Sequence, residues 1–313
     1  MPNRHFKSIL LFVVALLAFG WSPVNSQEPS AVGVVPVHMV VTAEARHGAQ
    51  EPELSREDVM VYLGRTRAQV TDWIPLRGEH AALELFLLLD DASDVSLGSQ
   101  LEDLRQFILL QPPTTLIGVG YMRDGTVDTV QNFTDDHTLA AKALRLPMAN
   151  VGAFASPYLS ISDLIKRWPE SSVRREILMI TDGIDRFGGV GPPNPYVDTA
   201  IEQAQKAGIL IHSIFATGAG HLGRMQWPIY WGQNYLSQIA TETGGQAYFL
   251  GFETPVSFAP YLEDLSRRLN HQYLLAFLAK PEKKPGLQRV RVKTEVKNVE
   301  LVAATKVFVP AGS

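Results

Sequence analysis

Three short stretches of this chain bring oxygen donors to places where chemistry could occur. Asp90-Asp91-Ala92-Ser93-Asp94-Val95-Ser96 follows the apolar run at residues 83–89. Asp182-Gly183-Ile184-Asp185 follows a second apolar run at 177–181, and Ser156 ends a small-residue stretch just before Pro157. Carboxylates and hydroxyls grouped in this way suit a hard divalent cation bound through oxygen, Mg²⁺ above all. The histidines at 38, 47, 80, 137, 212, 221 and 271 are scattered without ligand spacing, which argues against zinc. With no cysteine in the chain, thiolate metal sites, disulfides and cysteine nucleophiles are excluded.

The elements that would carry these loops alternate. The run LELFLLL at 83–89 reads as a central strand covered on both faces. Ser99 and Glu102 have capping-box spacing ahead of a helix with Leu101, Leu104, Ile108 and Leu109 on one face. A strand at 115–122, an Asp124-Gly125 hairpin turn and a strand at 126–133 follow. Helices are expected near 135, after Pro157, at 197–207, at 235–243 and at 260–270, with strands at 177–181, 209–215 and 247–250 between them. Strands alternating with helices imply an α/β fold with a doubly wound, mostly parallel sheet, and in such sheets ligands sit outside the carboxyl ends of the strands. Both ends of the chain read differently. Residues 35–43, 59–63, 290–296 and 301–309 carry strand-like patterns. The expected organisation is a signal peptide at 1–26, an N-terminal β segment at 27–80, an α/β domain at 81–271 and a C-terminal β segment at 272–313 that packs with the N-terminal one.

The loop after Leu89, the strand end LMITDG at 178–183 and the segment LSQIATETGGQAYFL at 236–250 resemble a von Willebrand factor type A domain over about residues 83–270. The flanking REDVMVYLGR resembles exported bacterial proteins that carry this domain. The resemblance implies a metal-ion-dependent adhesion site with the pattern Asp-x-Ser-x-Ser, a Thr from a second loop and an Asp from a third. Asp91 and Ser93 match the first two positions, Val95 occupies the third, Ser156 stands for the Thr, and Asp182 matches the last carboxylate. Ser96 could replace the missing hydroxyl only if the loop shifts. The implied ligands are Asp91, Ser93, Ser156 and Asp182, holding Mg²⁺ (or Mn²⁺ or Ca²⁺), with an acidic side chain of a partner protein completing the coordination.

Other readings of the same residues stand beside this one. Ser156-Pro157 is also the pattern of a helix N-cap with Pro at the first helical position, and the two roles coexist. Asp90 and Asp91 could be solvated loop residues, and Asp185 reads as a turn former or solubiliser. Gly218-Ala219-Gly220-His221-Leu222-Gly223 matches GxGxxG, but Arg224-Met225-Gln226-Trp227-Pro228 does not read as the helix start that a dinucleotide would need, so no nucleotide is expected. Trp227, Ile229, Tyr230 and Trp231 read as a loop that either completes the core or forms a partner-binding rim. Residues 280–297 hold seven basic and two acidic side chains, mostly on the outward parity of a strand, which is a solvated face.

The chain has 313 residues and a formal net charge of −4. That is too acidic for a general nucleic-acid binder. Arg4 and Lys7, the apolar stretch at 8–20 and Val24-Asn25-Ser26 read as a cleaved signal peptide, and the apolar stretch is too short for a spanning helix. Cleavage removes two positive charges and no acid, taking −4 to −6. The expected product is an exported protein, periplasmic or secreted, that is not integral to a membrane. Its expected role is binding through the cation site. The alternatives are a metal-free scaffold or interaction protein with a degenerate site, motivated by Val95, and a metal-assisted hydrolase. An enzyme is not expected, because no general base accompanies the single cation site.

Overall fold

The computed structural model describes residues 33–46, 53–150, 152, 154–169, 171 and 173–312. The signal peptide expected at 1–26 lies outside them. The described residues open with β1 (Val35–Ala45), β2 (Val59–Leu63) and β3 (Thr66–Pro75). An alternating series follows: β4 (Leu83–Asp90), α1 (Leu101–Leu109), β5 (Thr115–Arg123), β6 (Thr126–Thr134), α2 (His137–Lys142), α3 (Pro157–Arg167), β7 (Arg174–Thr181), α4 (Pro195–Ala207), β8 (Ile209–Phe215), α5 (Gln226–Thr243), β9 (Ala247–Tyr248) and α6 (Ala259–Asn270). The chain returns to strands with β10 (Gln272–Ala279), β11 (Gly286–Thr294), β12 (Val299–Ala303) and β13 (Lys306–Val309).

One sheet has the order β6-β5-β4-β7-β8-β9. All of its neighbours pair in parallel except β6, which returns antiparallel along β5. The connecting Asp124 and Gly125 both have positive φ, 49° and 74°, the geometry that Asp-Gly supplies in a tight hairpin. Helices cover both faces. Leu83, Leu85, Leu87 and Leu89 pack with residues of α1, α2 and α6, while Phe86 and Leu88 pack with α3, α4 and α5. This is the doubly wound α/β fold expected from the alternation, and the unbroken apolar run of β4 follows from burial on both faces.

The second sheet is antiparallel, with the order β12-β1-β10-β3-β2-β11-β13. Strands from the two ends of the chain interleave in it: β10 lies between β1 and β3, and β2 lies between β3 and β11. Its core is Val37, Val41, Val61, Leu275, Phe277, Val290 and Val309, with neighbours of the same kind. The two sheets are tied together by polar contacts. Arg174 at the start of β7 donates to the Leu269 carbonyl at 2.8 Å and to Gln272 Oε1. Gln205 of α4 donates to the Glu242 carbonyl at 2.7 Å and to Thr305 Oγ1 at 3.2 Å.

Four local expectations change. Ser99 does not cap α1. It lies in a 3₁₀ turn, Val95–Gln100, that Asp94 caps by accepting from the Ser96 N–H at 2.9 Å. The strand expected at 301–309 is two strands, β12 and β13, with Ala304-Thr305 between them. β3 and β10 carried no strand expectation. The helix expected at 235–243 begins nine residues earlier, at Gln226, and its first turn holds Trp227, Pro228 and Ile229.

Candidate functional site at the carboxyl edge of the parallel sheet

β4 ends at Asp90 and β7 ends at Thr181, side by side at the carboxyl edge. Because side chains alternate along a strand, Asp90 continues the face of Phe86 and Leu88, and Asp91 continues the face of Leu87 and Leu89. The two neighbouring carboxylates therefore enter different surroundings. Both are buried, so the solvated-loop reading fails.

Asp90 accepts from the Thr181 hydroxyl at 2.6 Å and from the Ala92 N–H at 2.9 Å. Burial, with the Asp182 charge beside it, pushes its carboxyl up to about 6, and the Arg186 charge pulls the other way. Asp182 accepts from the Ile184 N–H at 2.9 Å and from Arg186 through both oxygens, Nη2 to Oδ2 at 2.6 Å and Nη1 to Oδ1 at 3.3 Å. The Arg186 side chain is 4% exposed and that of Asp182 1%. Burial lowers the guanidinium pKa, but the charge and hydrogen bonds of Asp182 outweigh it and the net shift is upward.

Asp91 faces Arg145. Nη1 donates to Oδ1 at 2.6 Å, Nη2 donates to Oδ2 at 2.9 Å, and the Met148 N–H adds a third bond at 3.2 Å. Such a two-pronged pair is among the strong polar contacts available to a carboxylate. The guanidinium lies 3.7 Å from the centre of the Tyr121 ring, and the Tyr121 hydroxyl bonds to the Arg145 backbone, accepting from N–H at 2.7 Å and donating to the carbonyl at 2.9 Å.

The remaining donors divide. Ser156 is the N-cap of α3 and accepts from the Leu159 N–H at 3.3 Å. Ser93 is buried with its hydroxyl oxygen unpartnered, and its backbone bridges to Gly218. Val95 is 56% exposed and Ser96 is exposed as well, so neither reaches the buried group. Asp185 is fully buried rather than a solubiliser. It accepts from the Phe187 and Gly188 N–H groups and from the Asn194 amide at 2.9 Å, and so shapes the loop between β7 and α4.

The glycine-rich loop at 218–223 packs against this group. The Ala219 N–H donates to the Ala92 carbonyl at 2.7 Å, and the Asp94 N–H donates to the Thr217 carbonyl at 2.9 Å. A Cβ on Gly218 would stand 1.8 Å from Asp182 Oδ2 and 2.6 Å from Arg186 Nη2. α5 does begin after this loop, contrary to the expectation from Arg224 to Pro228. The first glycine nevertheless meets a carboxylate, which a pyrophosphate would not approach, and Gly218 and Gly223 serve close packing.

The expected ligand set, Asp91, Ser93, Ser156 and Asp182, does not fit a divalent cation in this arrangement. Both oxygens of Asp91 and both of Asp182 are taken by guanidinium groups. The Ser156 hydroxyl caps a helix, and only the Ser93 hydroxyl is open. Among the described residues no group of three His, Asp or Glu side chains is arranged to hold a metal ion.

Around this buried floor lies an apolar rim. Phe154 is 60% exposed and its ring centre is 5.6 Å from that of Phe187, the residue after Arg186. Arg186 N–H donates to the Ala155 carbonyl at 2.9 Å, which holds the two loops together. Trp227 is 59% exposed and Tyr230 is exposed beside it, both packing edge-on against Trp231. The loop carrying Phe187 reaches this helix through Tyr235, whose hydroxyl donates to the Gly191 carbonyl at 2.7 Å.

No family model matches the chain, and no curated protein matches it. Solved structures do. A von Willebrand factor type A protein from Catenulispora acidiphila matches at 9% identity and a TM-score of 0.44, over 90% of this chain and 75% of its own. An aerotolerance-related membrane protein from Bacteroides fragilis matches at 13% identity and a TM-score of 0.43, over 60% and 99%. The ArnB paralog VWA2 from Sulfolobus acidocaldarius matches at 8% identity and a TM-score of 0.39, over 87% and 74%. The chain is similar to von Willebrand factor type A structures. The likeness is loose in each case.

Arg145 and Arg186 carried no functional expectation from the sequence. Arg186 stands four residues after Asp182 in one loop, a spacing that could have suggested the pair. Arg145 stands 54 residues after Asp91, and no local pattern links them.

Proposed function

We propose that this chain is a protein-interaction module that docks a partner on the rim formed by Phe154, Phe187, Trp227 and Tyr230. The observation that carries the proposal is the exposure of these four aromatic side chains, on two loops and a helix N-terminus, around one edge of the sheet. Large exposed aromatic side chains gathered in one place are costly in water and are characteristic of contact surfaces. Beneath them the carboxylates of Asp90, Asp91, Asp182 and Asp185 are each hydrogen-bonded within the chain. Export by the segment at 1–26 belongs to the same reading and would place the rim outside the cytoplasm. Among the described residues no helix is long and apolar enough to cross a membrane.

The test is affinity capture from the native host's envelope fraction, comparing the wild-type chain with Trp227→Ala/Tyr230→Ala. A partner captured by the wild type and lost by the variant, while both melt alike, is the expected result. Equal capture by both would overturn the proposal.

A second reading, a cation that recruits an acidic side chain of the partner, draws on the open Ser93 hydroxyl. It requires Arg186 to leave Asp182 and Arg145 to leave Asp91, and calorimetric titration with Mg²⁺ tests it directly.

A further inference from the structure

We propose that the Arg186 guanidinium is the resident cation of this edge, so that the chain carries its own positive charge where a divalent ion would otherwise be needed, and that removing Arg186 turns the site into one that binds a divalent ion. The proposal concerns the floor of the edge and stands whether or not a partner docks on the rim.

Three observations converge. First, two buried carboxylates meet here. Asp90 is spanned by Thr181 and Ala92, Asp182 lies beside it, and the Arg186 charge acts on both. Buried carboxylates at close range either hold a proton or draw a positive charge to them, and in this chain the guanidinium brings that charge to both oxygens of Asp182. Second, Arg186 is held in place. Its N–H donates to Ala155, its Nη1 donates to the Ile184 carbonyl at 3.3 Å, and its side chain is almost wholly buried. Third, the wall opposite is cut to fit the pair, because Gly218 leaves no room for a Cβ beside Asp182 Oδ2 and Arg186 Nη2. Two polar atoms remain unsatisfied in this neighbourhood, Ser93 Oγ and Arg186 Nε. Truncating Arg186 would leave a cavity bordered by the Asp182 carboxylate and the Gly218 backbone, with Asp90 held on the neighbouring Thr181 and the Ser93 hydroxyl, whose backbone bridges to Gly218, unused. Those are hard oxygen donors with net negative charge, which is the chemistry of a Mg²⁺ or Mn²⁺ site.

The experiment is titration of the purified chain with Mn²⁺, followed by electron paramagnetic resonance and by melting temperature, for wild type, Arg186→Ala and Arg186→Ala/Asp182→Asn. The wild type should bind no Mn²⁺ at this edge and melt at the same temperature with and without it. Arg186→Ala should bind one equivalent and gain melting temperature with Mn²⁺, and the double variant should lose both effects. If Arg186→Ala does not fold in chelator, recovery of its native circular dichroism in millimolar Mn²⁺ is the same result read through folding. One equivalent of Mn²⁺ on the wild type that Asp182→Asn abolishes would overturn the proposal. So would an Arg186→Ala variant that neither binds Mn²⁺ when folded nor recovers with it when unfolded.

Discussion

Arg186 closes back on Asp182 within a single loop, Nη2 to Oδ2 at 2.6 Å, with both side chains sealed from solvent. A pair so placed has already lost its hydration, and each member depends on the other. Removing the cation leaves one carboxylate, and a second nearby, buried without compensation. Arg186→Ala in metal-free buffer is expected to lose about 3–5 kcal/mol of stability, measured as the shift of the urea midpoint at constant slope. A loss under about 1 kcal/mol would mean that water replaces the guanidinium at little cost.

The Arg145–Asp91 pair differs in exposure. Asp91 is buried while Arg145 is 31% exposed and lies over the Tyr121 ring. Arg145→Lys keeps the charge but loses the two-pronged geometry and the stacking. It should cost about 1–2 kcal/mol, against about 2–4 for Arg145→Ala. Denaturant unfolding of the two variants side by side gives the ordering, and equal costs would assign the whole effect to charge.

Stability should also depend on Asp90. Its carboxyl is raised from 3.8 to about 6, by burial first and Asp182 second. Between about pH 4 and pH 6 the folded chain retains a proton on Asp90 that the unfolded chain has released. Stability conferred by this group is therefore present at the acid end and falls as pH rises, by up to about 3 kcal/mol. Unfolding curves across that range for wild type and Asp90→Asn provide the comparison. The variant should show a flatter profile, and parallel profiles would remove Asp90 as the source.

Gly218 and Gly286 make a matched pair of positions. A methyl at Gly218 collides with the Asp182–Arg186 pair, whereas nothing lies within 4 Å of one at Gly286. Gly218→Ala is expected to cost about 3 kcal/mol, the upper part of the usual range for overpacking. Gly286→Ala should be close to neutral. Thermal melts of both decide it, and a benign Gly218→Ala would show that the glycine loop yields without disturbing the floor.

Much of the fold could be read from the residues because its signals are local. Asp124-Gly125 announces the hairpin, Ser156-Pro157 opens α3, and Gly208 and Gly244 close α4 and α5 in the left-handed conformation. The start of α5 was hidden because Met225 offers no capping side chain and the first turn is aromatic. β3 was hidden because Thr66, Arg67, Gln69 and Asp72, four of its ten residues, are exposed and polar. The site was legible only in part. Asp182 follows β7 and Ser156 precedes α3, as the strand and helix patterns indicate. Which of Asp90 and Asp91 faces Asp182 was not legible, because a strand apolar on both faces gives no inward or outward signal to fix its register. The guanidinium partners reach their carboxylates through tertiary packing, which spacing in the sequence does not encode.

The interleaving of the antiparallel sheet bears on the order in which this chain can fold. β1 pairs with β10 from Val35 opposite Ala279 to Thr42 opposite Gln272, and β3 flanks β10 on its other side. The central strand of the first three therefore does not exist until some 230 residues later have been made, as the pairing of Gln272 with Thr42 records. Until then the edges of β1 and β3 are open to water and to other chains. The sheet of β4 to β9, whose strand pairings lie within one continuous stretch, can form first. The antiparallel sheet can close only once the returning strands have been made, so the pairing of β1 waits on residues far downstream of it.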